Sequence, residues 1–539
     1  MNFSTRRWDT PWAWAGAAAV LTILGSWGSG WAELSDADES RSGVLVQAIQ
    51  RGESLFRLRT PDGWLSEKPP LYYLLAAGAS FGRAVDEVSL RIVSAAAAWG
   101  TLWTAAVLGR WAGGPKAAWA ALALLSANPI FARWMRQAMV DMTLTFFVAF
   151  SALAAAAGRT GRWGPRKAAV LWGVSAGLAI LTKGPVGLAL AVAPVAGSWI
   201  LDRRGVGAAS LAPAAAAVAL ALAVALAWYG PAWAAGGREF LETSVLGENV
   251  YMPLGRPQGI GVSHRKSFLY YFGVQAGALL PAVPLVGAMA RAPWKAWAAE
   301  PVVRLLGMGF AVGLGLFEAA ANKRTHYLLP LQPLLAVVLA AAAGRGMDVA
   351  APGRAARAAL GATAAALFLS GLAGLGAAAK SRDGTPPLAG HGATLLGFGG
   401  LGVACGCVLF AAWRRRRKPP ELEGAMLLAI FAAGVAGVLK ASFEADGNRT
   451  RAFVAQARAI LGSGERPVLV GPIHGYALDF YWPDGIRRGE SEPPPRWALV
   501  RRTHPWASDP GWKVRAAWSG RDPDRDVLLL ERSEATRSR

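Results

Sequence analysis

The sequence predicts a polytopic α-helical membrane protein with a small α/β domain at its carboxy end. Three observations carry this expectation. Apolar runs near twenty residues recur along most of the 539-residue chain, each long enough as a helix to cross about 30 Å of hydrocarbon. Hydrophobic residues make up 54% of the chain and charged residues only 17%, clustered between the apolar runs; mean hydropathy is +0.31. After about residue 442 the long runs stop, and polar, proline-rich sequence with short apolar stretches begins.

The composition also narrows the partners. A net charge of +22 would suit nucleic acid if it lay along one face or tail, but Lys and Arg sit in short loops between spans. The run Arg414-Arg415-Arg416-Arg417-Lys418 directly follows an apolar span, as a cytoplasmic anchor does. Positive-inside placement accounts for the excess, and no nucleic-acid partner is expected. Cys405 and Cys407 are the whole cysteine supply. A helix points them in different directions, and two residues exclude a disulfide framework or a cysteine-built zinc site.

Taken in order, Arg6 and Arg7 precede an apolar run over 11–32. It exceeds a signal-peptide core of about 7–15 residues and reads as a retained first helix with a cytoplasmic amino end. Further spans are expected near 88–109, 115–133, 139–157, 168–182, 184–201, 209–231, 267–290, 300–320, 325–343, 357–378, 392–412 and 422–441, about thirteen in all. Residues 69–82 are short and read as an interfacial or re-entrant helix. With that segment not crossing, the basic loops at 109–116, 159–167, 202–204, 291–295, 344–357 and 414–418 all fall on the cytoplasmic side. The loops at 36–86, Asp141, 183–185, 236–266, 322–326 and 380–392 then share the far face.

The chain divides into a membrane domain over 1–441, with a first outer loop at about 33–87, and an outer domain over 442–539. In the latter, 452–461 reads as a helix and 467–470, 497–500, 512–518 and 526–530 as strands. No repeat of fixed period is present.

The charges of the far-face loops are the candidate chemistry. Asp36, Asp38, Glu39 and Arg41 precede a short amphipathic stretch; a carboxylate there is either a general base or an ordinary solvated loop acid. Glu67 and Lys68 precede Pro69-Pro70, so Lys68 is either a phosphate contact or a snorkelling anchor. Asp141 opens a span, where the helix dipole alone would favour an acid. Lys183 stands between two apolar runs joined by Gly184-Pro185 and either meets an anion or snorkels. His264-Arg265-Lys266 and Asn322-Lys323-Arg324-Thr325-His326-Tyr327 add cations and imidazoles on that face, against the positive-inside trend. Gly397-Phe398-Gly399-Gly400-Leu401-Gly402 matches a dinucleotide fingerprint literally, but it lies inside an apolar span with no preceding strand and reads as helix packing.

Asp38-Glu39-Ser40-Arg41, Glu67-Lys68-Pro69-Pro70-Leu71-Tyr72-Tyr73, Asp141-Met142-Thr143-Leu144-Thr145-Phe146, Leu181-Thr182-Lys183-Gly184-Pro185, His264 before Tyr270-Tyr271, and Lys323 with His326-Tyr327-Leu328-Leu329-Pro330 follow one another along the chain. In this order they resemble the bacterial GT-C membrane glycosyltransferases, in the branch of the lipid A aminoarabinose transferase and the protein O-mannosyltransferase relatives. The resemblance covers roughly residues 10–345 and extends in outline to a carboxy-terminal periplasmic domain.

The resemblance implies an inverting transfer from a polyprenyl-phosphate sugar to lipid A, a protein or another envelope glycan, at the periplasmic face of the inner membrane. It implies Asp38 as catalytic carboxylate and Asp141 as a second active-site acid. Lys68, Arg41, Lys323 and Tyr327 would surround the donor phosphate, with Lys183, Arg265 and Arg324 as further phosphate-binding residues. Glu67 and His264 would be the ligands of a divalent metal, and no nucleotide is needed. The chain departs from the family pattern at Leu65, at Asn322 and at Arg265-Lys266. The competing expectation is a transporter or flippase of a lipid-linked anion; charges gathered at one face without repeated halves weigh against it.

Overall fold

The computed structural model describes residues 9–34, 37–201, 208–256, 265–349, 354–382, 392–414, 421–435, 450–462, 465–471, 476–482, 485–489, 494–518 and 526–533. It is mostly helical, with one five-stranded sheet near the carboxy end.

Proline and glycine set many helix boundaries. Glu87–Gly113 starts at Asp86, whose carboxylate accepts from the Ser89 N–H (2.8 Å) while the Ser89 hydroxyl accepts from the Asp86 N–H (2.9 Å), a reciprocal cap. It ends at Gly114, φ +84°, and Pro115 opens Pro115–Ala127. Pro165–Lys183 likewise stops at Gly184, φ +83°, and Pro185 opens Pro185–Leu201. A left-handed residue costs glycine nothing, and proline is preset for a first helical position. Lys183 is thereby fixed as the last residue before a sharp reversal.

Each expected span coincides with an apolar helix or a broken helix. Seven described helices are long and apolar enough to cross a membrane, or eight if Tyr270–Ala278 and Leu280–Ala290, bent by 54°, form one span. Pro11–Ser26, Pro185–Ile200 and Leu422–Gly434 are apolar but shorter. The expected count of about thirteen therefore includes pieces that length and composition alone do not qualify. One is the expected span at 115–133, which breaks at Asn128: its side chain accepts from Ile130 and Phe131 N–H and starts Pro129–Trp134. The chain is a multi-pass membrane protein.

Leu71–Ala79 has nine residues, about 14 Å of helix, and does not cross. Tyr72 and Tyr73 bury themselves against Ala37–Gln50 and Glu87–Gly113, and the Tyr72 hydroxyl donates to Leu90 O at 2.7 Å. Pro115–Ala127 is enclosed from Ala117 onward at the centre of the largest core. The glycines of the false dinucleotide motif serve packing: a Cβ on Gly402 would stand 2.8 Å from Gly371 Cα in the adjacent helix Arg354–Arg382.

The carboxy-terminal sheet comprises β1 (Val468–Leu469), β2 (Arg487–Arg488), β3 (Trp497–Arg501), β4 (Trp512–Trp518) and β5 (Val527–Arg532), in the order β2-β1-β3-β5-β4. Contacts of β1 are parallel and those of β5 antiparallel. The two-residue β2 was not expected from sequence, being too short and charged to show alternation. Thr450–Leu461 covers the sheet. The short helix Ala477–Tyr481 leaves the sheet and packs on Ala37–Gln50, with Tyr476 and Phe480 joining Leu34, Val44 and Leu45 in one core.

Candidate active site

Ala37–Gln50 presents two adjacent acids in its first turn, and the fold sends them to different environments. Glu39 is buried and takes a two-point contact from Arg91, Nε at 3.0 Å and Nη2 at 2.8 Å. It also accepts from the Ala138 N–H at 2.6 Å. Asp38 instead borders the cavity described below and accepts from Arg324 Nη1 at 2.8 Å. Burial by itself would raise the Asp38 carboxyl, but Lys68, Arg324 and Arg41 outweigh it and hold the group well below the ordinary carboxylate range.

The loop before Leu71–Ala79 supplies the next pair. Glu67 Oε2 receives Arg41 Nη1 at 2.8 Å. Burial opposes the charge of Lys68, yet Asp38 and Glu248 overrule it and hold the ammonium above the ordinary lysine range. Among the described residues no ion pair occupies that ammonium. Lys68 is therefore a desolvated cation facing an acid without being tied to it.

Asp141 lies in the first turn of Val140–Arg159, and Lys183 Nζ reaches its Oδ1 at 2.5 Å. The Lys183 ammonium also stands 4.6 Å from the centre of the Tyr327 ring, an added cation–π contact. Asp141 Oδ2 is buried and has no hydrogen-bond partner among the described residues. An orphaned carboxylate oxygen is costly unless a ligand supplies a donor. The Lys183 ammonium is thus held by Asp141 rather than reaching for the membrane surface.

A cavity of about 810 Å³ opens beside Asp38 and Arg324. Asp38, Lys323, Arg324 and His326 line its polar end; Ile130, Val274, Gly277, Ala278 and Leu280 give it an apolar leg. Arg133 and Lys266 stand on its rim, Arg133 over the Trp134 ring at 5.0 Å. The lining suits an amphiphile with an anionic head.

Of the other sequence candidates, Lys323 also lines the cavity. Lys323 is buried, and its ammonium donates to Glu318 O at 2.6 Å and Ala320 O at 2.5 Å, with the Glu318 carboxylate at 3.5 Å. Its ammonium therefore braces its own turn while the residue lines the cavity. Arg265 is exposed; its backbone bridges Asn322 and its guanidinium lies over Gly255. His264 and Asp36 lie outside the described residues. No group of three or more His, Cys, Asp or Glu able to hold a metal occurs among the described residues. Glu67 is the one described residue of the expected metal pair, and Arg41 occupies its Oε2.

Sequence reading missed three contributors. Glu248, from Leu241–Tyr251, brings a second carboxyl group beside Lys68 and Glu67. Arg91 fixes Glu39, and Arg133 guards the cavity rim. Arg91 carried a signal, a lone cation inside an apolar helix; Glu248 and Arg133 carried none.

Residues 58–230 match the model of a family described as dolichyl-phosphate-mannose-protein mannosyltransferase. No curated protein matches the chain by sequence. ArnT from Cupriavidus metallidurans bound to undecaprenyl phosphate superposes with a TM-score of 0.73 at 17% identity, over 95% of this chain and 97% of that one. The same protein in the apo state gives 0.71 at 17%, over 96% and 97%. The Archaeoglobus fulgidus oligosaccharyltransferase in complex with Zn and sulfate gives 0.50 at 13%, over 90% of this chain and 67% of that one. The resemblance read from the motifs is borne out: the chain has the fold of the GT-C membrane glycosyltransferases, with its match to the mannosyltransferase family confined to residues 58–230.

Proposed function

We propose that this protein is an inverting membrane glycosyltransferase. It moves a sugar from a polyprenyl-phosphate donor to a hydroxyl or amine on lipid A, a protein or another envelope glycan, at the outer face of the inner membrane. The observation that carries this reading is the carboxylate of Asp38 held among Lys68, Arg324 and Arg41 at the polar end of a cavity with an apolar leg. The apolar leg suits an isoprenoid chain and the cations suit its phosphate. The undecaprenyl phosphate in the ArnT structure supports the same donor class.

The chemistry follows from charge. As the bond between the anomeric carbon and the phosphate oxygen breaks, negative charge grows on the departing phosphate, and Lys68 and Arg324 stabilise it. The acceptor oxygen or nitrogen attacks the anomeric carbon from the opposite face, and Asp38 takes its proton. Asp38 is a feeble base while its cations are unopposed. A bound phosphate offsets their field and restores its basicity, so the donor switches on its own catalyst. Asp141 offers Oδ2 to a sugar hydroxyl, with Lys183 holding the carboxylate in place.

The test uses the purified chain in lipid nanodiscs with a synthetic polyprenyl-phosphate sugar and extracted envelope acceptors. Release of polyprenyl phosphate together with a mass gain of one sugar on an acceptor is expected. Movement of the intact donor between leaflets without cleavage would replace this reading with transport.

A further inference from the structure

We propose that Tyr476, from the carboxy-terminal domain, is a positioning residue for the transfer site and acts through Arg41. The proposal rests on the transferase reading above and assigns that domain a part in it.

The domain is docked on the membrane domain by groups at three places. The buried carboxylate of Glu33 accepts from the Thr450 and Arg451 N–H groups, both at 2.9 Å, and so caps the helix Thr450–Leu461 from outside its own domain. Arg451 and the Tyr481 hydroxyl both bind Glu87. Gln47 Nε2 donates to Phe480 O at 2.9 Å. Phe480 in turn packs so closely on Ala37–Gln50 that a Cβ on Gly43 would stand 2.6 Å from its ring.

This docking brings Tyr476 to the helix that carries Asp38. Its N–H donates to Ser40 Oγ at 3.1 Å, between the two acids and Arg41 in sequence. Its ring lies under the Arg41 guanidinium, 6.0 Å from the centroid. Its hydroxyl donates to Asp62 at 3.0 Å, in the loop that leads to Glu67 and Lys68. One residue thus ties the acidic helix, the Glu67-Lys68 loop and the cation that bridges them. Arg41 Nη1 is spent on Glu67 and its Nε is buried without a hydrogen bond among the described residues. The Tyr476 ring is the aromatic face against that guanidinium among the described residues. Removing the ring frees Arg41 to swing, which loosens its hold on Glu67 and so misplaces the neighbouring Lys68 ammonium needed as the phosphate departs.

The experiment compares Tyr476→Phe, Tyr476→Leu, Arg41→Ala, the Tyr476→Leu/Arg41→Ala double variant and Gln47→Ala in the full chain, in the nanodisc transfer assay. Tyr476→Leu should lower kcat about tenfold with little change in donor KM. Tyr476→Phe, which keeps the ring, should stay within about threefold of wild type. The double variant should be no slower than Arg41→Ala alone, and Gln47→Ala, which loosens docking without touching Arg41, should match wild type. Additive losses, or equal losses in Tyr476→Leu and Gln47→Ala, would overturn the proposal in favour of a purely structural contact. Should Tyr476→Leu fail to fold, Tyr476→Met removes the ring while keeping buried bulk. A wild-type chain that transfers no sugar refutes the transferase reading instead. Hydrogen exchange at amides 38–42 then decides: faster exchange in Tyr476→Leu than in Gln47→Ala supports the tie, and equal exchange removes it.

Discussion

At Asp38 a low pKa and the work of a base are reconciled by the donor phosphate, and this has a signature in pH. The surrounding cations hold the carboxyl well below its ordinary value, so it stays ionised until the pH falls beneath that range. The acid limb of kcat/KM, which reports the free protein, should therefore lie at lower pH than the acid limb of kcat, which reports the donor complex. Arg324→Gln removes one cation and should move the kcat/KM limb upward; coincident, immovable limbs would remove Asp38 from proton transfer. Lys68 and Lys323, both read from sequence as phosphate contacts, should now separate. Lys68→Ala should cut transfer at least about tenfold with normal folding, since a charge-assisted contact of about 1.5–3 kcal/mol is lost. Lys323→Ala should instead lower the melting temperature in detergent, because its ammonium holds the Glu318 and Ala320 carbonyls. Sequence identified both lysines as unusual, but only coordinates reveal which ammonium is already saturated by its own turn.

The element that organises the site is Ala37–Gln50, and its orientation depends on the Glu39–Arg91 pair. Arg91 also donates to Ala32 O at 2.7 Å and Glu33 O at 3.1 Å, while Glu39 holds the Ala138 N–H three residues before Asp141. One buried pair thus sets the places of both candidate acids. Glu39→Ala leaves a buried guanidinium uncompensated and should cost about 3–5 kcal/mol, read as a lower melting temperature together with lost transfer. An unchanged melting temperature would show that the helix is held by packing alone. The helices were legible because apolar runs, Pro-initiated starts and Gly-terminated ends are local signals, as at Gly114-Pro115 and Gly184-Pro185. The Asp141–Lys183 pair was not: each residue was visible alone, but 42 positions separate them, and only the packing of Val140–Arg159 on Pro165–Lys183 brings them together.

Across the whole molecule, the membrane class, the GT-C resemblance and the carboxy-terminal sheet were readable from hydropathy and motif order, because those features are repeated along the chain or fixed in sequence. The docking of the sheet domain on the acidic helix was not, since contacts such as Glu33 with Thr450 span hundreds of residues and leave no periodic trace. Basic-loop placement predicts the loop after Val140–Arg159 in the cytoplasm and the sheet domain outside. A membrane-impermeant thiol reagent should therefore label Ser508→Cys, and not Arg166→Cys, in intact spheroplasts of a Cys405→Ala/Cys407→Ala background; the reverse pattern would invert the topology. The central claim is that Asp38 is the base of a sugar transfer driven by loss of a polyprenyl phosphate. Its most direct test is transfer from a synthetic polyprenyl-phosphate sugar by purified wild-type and Asp38→Asn chains, with donor binding measured in parallel. Asp38→Asn keeps the shape and loses the basicity, so transfer should fall by about 10²–10⁴-fold while donor binding persists; undiminished transfer by Asp38→Asn would contradict the account.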